Sequence, residues 1–142
     1  LPNDFQPTSI LPFTVIKCLA AFGGGESEHK RLVAICHHGE ALFTVKATSQ
    51  VECYINSNRL SEVVFYKGGT NRCFEKNTII QPDNQYAIPH ADLIKHHRNG
   101  DLTILGTLPA NFRDELAKAA ESSVTITSRG RKRLLGALGL AS

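Results

Sequence analysis

Residues 26–50 hold the side chains that gripping and cleaving a phosphodiester would need. Glu26, His29, Lys30 and Arg31 precede the apolar run 32–36, and Thr48, Ser49 and Gln50 close the run that follows it. A guanidinium such as that of Arg31 binds two phosphate oxygens through a planar fork that a lysine lacks. The Thr48 and Ser49 hydroxyls can donate to the same group. His29 exchanges a proton near neutral pH. Metal-free cleavage of RNA uses such a set: a base for the ribose 2′-hydroxyl, donors for the charge growing on the phosphoryl oxygens, and an acid for the leaving 5′-oxygen. On that assignment the loss of Arg31 removes about 3–4 kcal/mol of transition-state stabilisation. The same residues have plainer roles. Arg31 before a strand can form a surface ion pair with Glu26 or Glu28, and Thr48 and Ser49 suit a strand end.

These groups need elements to position them. Gly23, Gly24 and Gly25 form a loop ahead of the cluster. Residues 31–37 read as a strand buried on both faces, being short, β-branched and continuously apolar. His38, Gly39 and Glu40 make a hairpin turn, and residues 41–46 return as a second strand. Upstream, Pro2, Pro7 and Pro12 give residues 1–12 the character of an extended arm, and residues 13–22 form a first strand. Downstream, 51–55 alternates like a half-exposed strand, 61–67 and 78–80 are further strands, and Pro82, Asp83 and Asn84 close the latter. A helix is expected from Pro89 to about residue 97, then a strand at 102–108 weakened by Gly106. Phe112, Leu116, Ala119 and Ala120 recur at helical spacing after Pro109. Thr127 or Ser128 can cap a last helix containing Leu134, Leu135 and Leu138. Strands first and helices later describe an α+β domain: a small SH3-like β-barrel or strongly bent antiparallel sheet, with two to three helices in the C-terminal half. The division is an arm at 1–12, one barrel domain at 13–126, and a basic helix at 127–142.

The totals agree with one domain. The chain has 142 residues, 42% hydrophobic and 20% charged, enough for a single core and not disordered in composition. No apolar run reaches the roughly 18 residues that span a bilayer, and the start lacks the marks of a signal peptide, so a cytoplasmic protein is expected. Cys18, Cys36, Cys53 and Cys73 include no C-x-x-C pair, which argues against a metal and for thiols behaving as small hydrophobes. Net charge is only +3, yet Arg129, Arg131, Lys132 and Arg133 fall within five residues with no acid among them. Such a cluster attracts polyanions and loses that attraction with salt.

The order of acid, polar loop, Arg31, buried strand, hairpin and a strand ending in Thr48, Ser49 and Gln50 resembles the MazF/PemK-like toxins of toxin–antitoxin systems. The likeness extends over residues 13–121, with its specific part at 26–50; no Gly-Asp pair opens the first strand, and Leu32 rather than proline follows Arg31. The resemblance implies a homodimeric SH3-like barrel that cleaves single-stranded RNA without metal or other cofactor and is held inactive by a cognate antitoxin protein. It implies Arg31, Thr48, Glu26, Ser49 and His29 as catalytic, with Lys30 and Gln50 on the RNA.

A second reading is a non-catalytic small barrel that binds nucleic acid or a protein partner through Arg129, Arg131, Lys132 and Arg133. A relative that keeps the fold without turnover is a third. With no Trp in the chain, Tyr54, Tyr66 and Tyr86 are the rings on which bases could stack.

Overall fold

An apolar run with no alternation can be a strand only if both its faces are covered. The computed structural model, which describes residues 5–21 and 27–140, places the run after Arg31 in the interior of a sheet. Strands β1 (Thr14–Ala21), β2 (Ser27–His38), β3 (Ala41–Thr48), β4 (Val64–Tyr66), β5 (Thr78–Pro89) and β6 (Leu102–Thr107) form one antiparallel half-barrel in the order β4-β5-β3-β2-β1-β6. Four helices complete the α+β fold: α1 (Glu52–Asn56), α2 (His90–Arg98), α3 (Phe112–Ser122) and α4 (Ser128–Ala137). No helix among the described residues is long and apolar enough to cross a membrane.

Strand parity divides the core in two. Val15, Val33, Val45 and Phe43 face α3 and α4, meeting Phe112, Leu116 and Leu134. Ile16, Leu32, Ala34 and Leu42 face the other way, against Leu93 of α2 and Ile10. Leu32 to Ile35 are therefore all at most 2% exposed, as a strand buried on both faces requires.

Three irregularities bend the sheet. Register shifts fall between Val15 and Ile16 against β6, between Ala34 and Cys36 against β3, and between Val45 and Lys46 against β5. Extra residues on one strand increase local twist and curl the sheet toward closure. In the third, Val45 pairs with Gln85 while Lys46 pairs with Gln81, so Pro82, Asp83 and Asn84 loop out of an otherwise continuous β5. A proline that cannot donate to a ladder is accommodated there, which is why the strand expected to stop at Pro82 runs on to Pro89.

Other expectations change as well. The stretch expected as a strand at 51–55 instead enters α1, with Val51 as its N-cap, because Val51 and Tyr54, three apart, are the pair buried against Val63 and Ile79. The strand at 61–67 shrinks to β4 after a 3-10 turn at Leu60–Glu62. The described part of the N-terminal arm is packed. Pro7 opens a 3-10 turn, Ile10 is 1% exposed, and Phe5 stacks on His97 at 4.4 Å. His37 Nε2 donates to the Ile10 carbonyl at 2.8 Å. A carbonyl only accepts, so His37 Nε2 carries a proton; His37 Nδ1 and His90 Nε2 share a second hydrogen bond at 2.9 Å, joining the arm, β2 and the start of α2. Gly106 stands in β6 at φ 154°, where a Cβ would lie 2.9 Å from Cys73 Sγ, so close packing explains the glycine inside a strand.

Candidate functional site

The β2–β3 ladder decides what the strand-end cluster can do. Arg31 pairs directly with Ala47 on one side and Lys17 on the other, sharing the face that carries Val33 and Val45. Thr48 is one residue beyond Ala47, and successive side chains leave a strand on opposite faces. The guanidinium and the hydroxyl are thus on opposite sides of the sheet. The Thr48 Oγ1 accepts the Gln50 N–H at 3.2 Å, stabilising the turn that ends β3. Ser49 and Gln50 are exposed beside it. His29 shares a face with Arg31, is 46% exposed and lies 3.7 Å from Asp101 Oδ1. Lys30 lies on the Thr48 face, opposite Cys18. Glu26 lies outside the described residues.

At the other end of the chain, the helical period sorts the basic cluster. Thr127 accepts the Gly130 N–H at 2.9 Å and starts α4, satisfying one of the amide groups that a helix start leaves unpaired. From there Leu134, Leu135 and Leu138 turn into the core. Arg129, Lys132, Arg133 and Gly136 recur at i, i+3, i+4 and i+7, which sets them on one face, and all four are exposed. Arg131 falls on the opposite side. Its guanidinium donates to the Ala120 carbonyl at 3.1 Å and the Ser123 carbonyl at 3.2 Å, occupying acceptors that the end of α3 would leave open. Of the four basic residues read together in the sequence, three face solvent and one is structural.

The exposed stripe borders a cleft of about 640 Å³, within the range of small-ligand sites. One wall is α4, with Lys132, Arg133, Gly136 and Ala137. The floor comes from cross-strand neighbours Cys36, Phe43 and Ala87, with Ala41 and the exposed His38 at the hairpin end. None of the described lining residues is a carboxylate. Gln85 fixes the wall to the sheet: its Nε2 donates to the Pro82 and Gly130 carbonyls, both at 2.9 Å, and its Oε1 accepts from Arg133 at 3.2 Å. A shallower cleft of about 390 Å³ between α3 and α4 does contain an acid, Glu121.

The thiols of Cys18 and Cys73 are buried and poor nucleophiles, while that of Cys36 is half-buried. Burial pushes Cys18 up to about 11 and also raises Cys36 and Cys73, which suppresses thiolate. Cys53 is exposed on α1. Among the described residues no cluster of three His, Cys, Asp or Glu is placed to hold a metal ion. Tyr54, 7% exposed, and Tyr66, packed on Phe74 and Phe112, offer no stacking platform. Tyr86 packs against the α2-side core and also lines the cleft.

The position of α4 depends on an ion pair far from it in sequence. Glu62, 7% exposed, accepts from Arg59 at 2.7 and 3.1 Å and from the Val124 N–H at 2.8 Å, holding the connection between α3 and α4. The Arg59 hydrogen bond, and then the Val124 amide, hold its carboxyl below the usual glutamate range. Asp83, in the β5 bulge, accepts from Thr125 at 2.6 Å and anchors the same connection. No protein-family model matches the chain, and no curated protein matches it either.

Proposed function

We propose that the chain is a non-catalytic half-barrel module that binds nucleic acid through α4. One observation supports this above the others: three exposed cations stand on a single helix face beside a cleft with no described carboxylate in its lining. Polyphosphate strands seek such a field, and neutralised phosphates release counterions on binding. A ribonuclease centre draws no comparable support, since Arg31 and Thr48 occupy opposite faces of the sheet.

The reading fixes a salt dependence. Three phosphate contacts on a single strand correspond to a log–log slope of about −2. Raising salt from 50 to 200 mM should then weaken binding of a labelled RNA strand about 15-fold. The triple variant Arg129→Ala, Lys132→Ala, Arg133→Ala should lose that dependence, while Arg31→Ala keeps it. The RNA should stay full length in excess EDTA. Salt-insensitive binding, or cleavage that disappears with Arg31→Ala, would remove the proposal.

A further inference from the structure

We infer that the cleft beside α4 takes a single unstacked nucleobase, making single-stranded nucleic acid the ligand. This rests on the polyanion reading above and goes beyond it. Phosphates alone have no use for an apolar floor, and the floor here is lined by Cys36, Ala41, Phe43 and Ala87, with Tyr86 beside them. A flat heteroaromatic ring matches that surface, with the exposed His38 imidazole at its edge.

The rim supplies the matching charge at the right place. Arg133 is held by Gln85, whose two other hydrogen bonds go to fixed carbonyls of the sheet bulge and of α4. One guanidinium nitrogen is engaged and the fork is oriented, so its remaining N–H groups can meet a phosphate with less ordering entropy. Lys132 adds a second cation on the same rim. Base on the floor and phosphate on the rim is the layout of one nucleotide of a strand. Paired bases in a duplex are stacked and cannot reach a cleft floor, whereas single strands can turn a base outward.

Gly136 makes the idea testable without disturbing the core. It lines the cleft, and a Cβ built there meets nothing within 4 Å. Leucine at this helical position is also a better helix former than glycine. Gly136→Leu should therefore project into the cleft, obstruct it and keep the fold, with Gly136→Ala as the control. The probes are labelled ten-nucleotide strands of oligo-U and oligo-dT, and an abasic strand of equal length and charge.

Wild type should bind at least one base-bearing strand about tenfold more tightly than the abasic strand, as one stacked base permits. Gly136→Leu should erase that difference and leave abasic binding and its salt slope unchanged. A second readout needs no variant. Cys36 lines the cleft and is half-buried, and Cys53 is exposed elsewhere, so prolonged alkylation at alkaline pH, where the raised Cys36 thiol ionises, followed by peptide mass should show Cys36 protected severalfold by a base-bearing strand, Cys53 unaffected, and neither protected by the abasic strand. Equal affinity for base-bearing and abasic strands, or Cys36 unprotected at saturation, overturns the base site while the polyanion reading stands. Polyglutamate competing as well as oligo-U would transfer the cleft to acidic peptides and overturn it too. Failure of wild type to bind any strand at 50 mM salt overturns both.

Discussion

The β2–β3 strand ends and the α4 stripe each crowd several polar or charged residues into a short stretch, and the two regions differ in how secondary structure distributes them. In the strands, Arg31 and the Thr48 hydroxyl come from neighbouring segments, yet the period of two sends them to opposite faces. In the helix, the 3.6-residue period gathers Arg129, Lys132 and Arg133 and rejects Arg131, which lies between them. Proximity in sequence is thus a poor guide to shared direction unless the period is applied residue by residue. One register pair was enough to separate the first cluster. One helix turn was enough to assemble the second.

The sharpest way to break this contrast is to change two arginines of the same helix. Arg131→Ala should destabilise the fold by about 1.5–3 kcal/mol, because two charged hydrogen bonds to buried-end carbonyls go, while the salt slope of strand binding stays unchanged. Arg133→Ala should do the reverse, leaving the melting temperature nearly constant and reducing the slope by about 0.7. Denaturation and binding titrations on both proteins decide it.

Next in size is Glu62, which holds the connection leading into α4. Glu62→Gln should cost about 1–3 kcal/mol at neutral pH. A carboxyl whose folded value is depressed contributes stability above its ordinary value and loses it as pH falls through the depressed one. The gap between wild type and variant should consequently close on acidification, in unfolding curves taken from neutral pH downward. A gap that stayed constant down to acid pH would show that the charge of Glu62 contributes nothing to the folded state.

Smaller effects test the strand-end side. Thr48→Val removes the Gln50 hydrogen bond and should cost about 0.5–1.5 kcal/mol with strand binding unchanged. Reduced binding at constant stability would restore a functional role for this hydroxyl. Tyr66→Phe serves as a control outside both regions. Its buried hydroxyl has no hydrogen-bond partner among the described residues, and burial, followed by Glu115 and then Cys73, pushes its ionisation up to about 12. Removing that oxygen should raise stability by about 1 kcal/mol, measured by the same unfolding curves.

Much of the architecture was legible in the residues. The unbroken apolar run 32–35 announced a strand covered on both sides, and the spacing of Phe112, Leu116, Ala119 and Ala120 announced α3. What misled was punctuation with a local exception. Pro82 reads as an end, but a bulge absorbs it inside β5. Five residues at 51–55 alternate by chance, and only contact with Ile79 shows that Val51 and Tyr54, rather than Val51, Cys53 and Ile55, face inward. The cleft could not be found at all, since its wall and floor are separated by dozens of residues and are joined by Gln85, an amide with no sequence signature. The position of Arg131 was recoverable from helical periodicity, which places it among the leucines.

The two sides of α4 have a practical consequence. Because its leucines and Arg131 anchor the helix from within, the outward positions 129, 132, 133 and 136 are open to rewriting with little demand on the core. Acidic residues in place of the cations would turn the same scaffold toward basic partners, and graded replacements would tune avidity, so the helix behaves as an exchangeable faceplate on a fixed chassis.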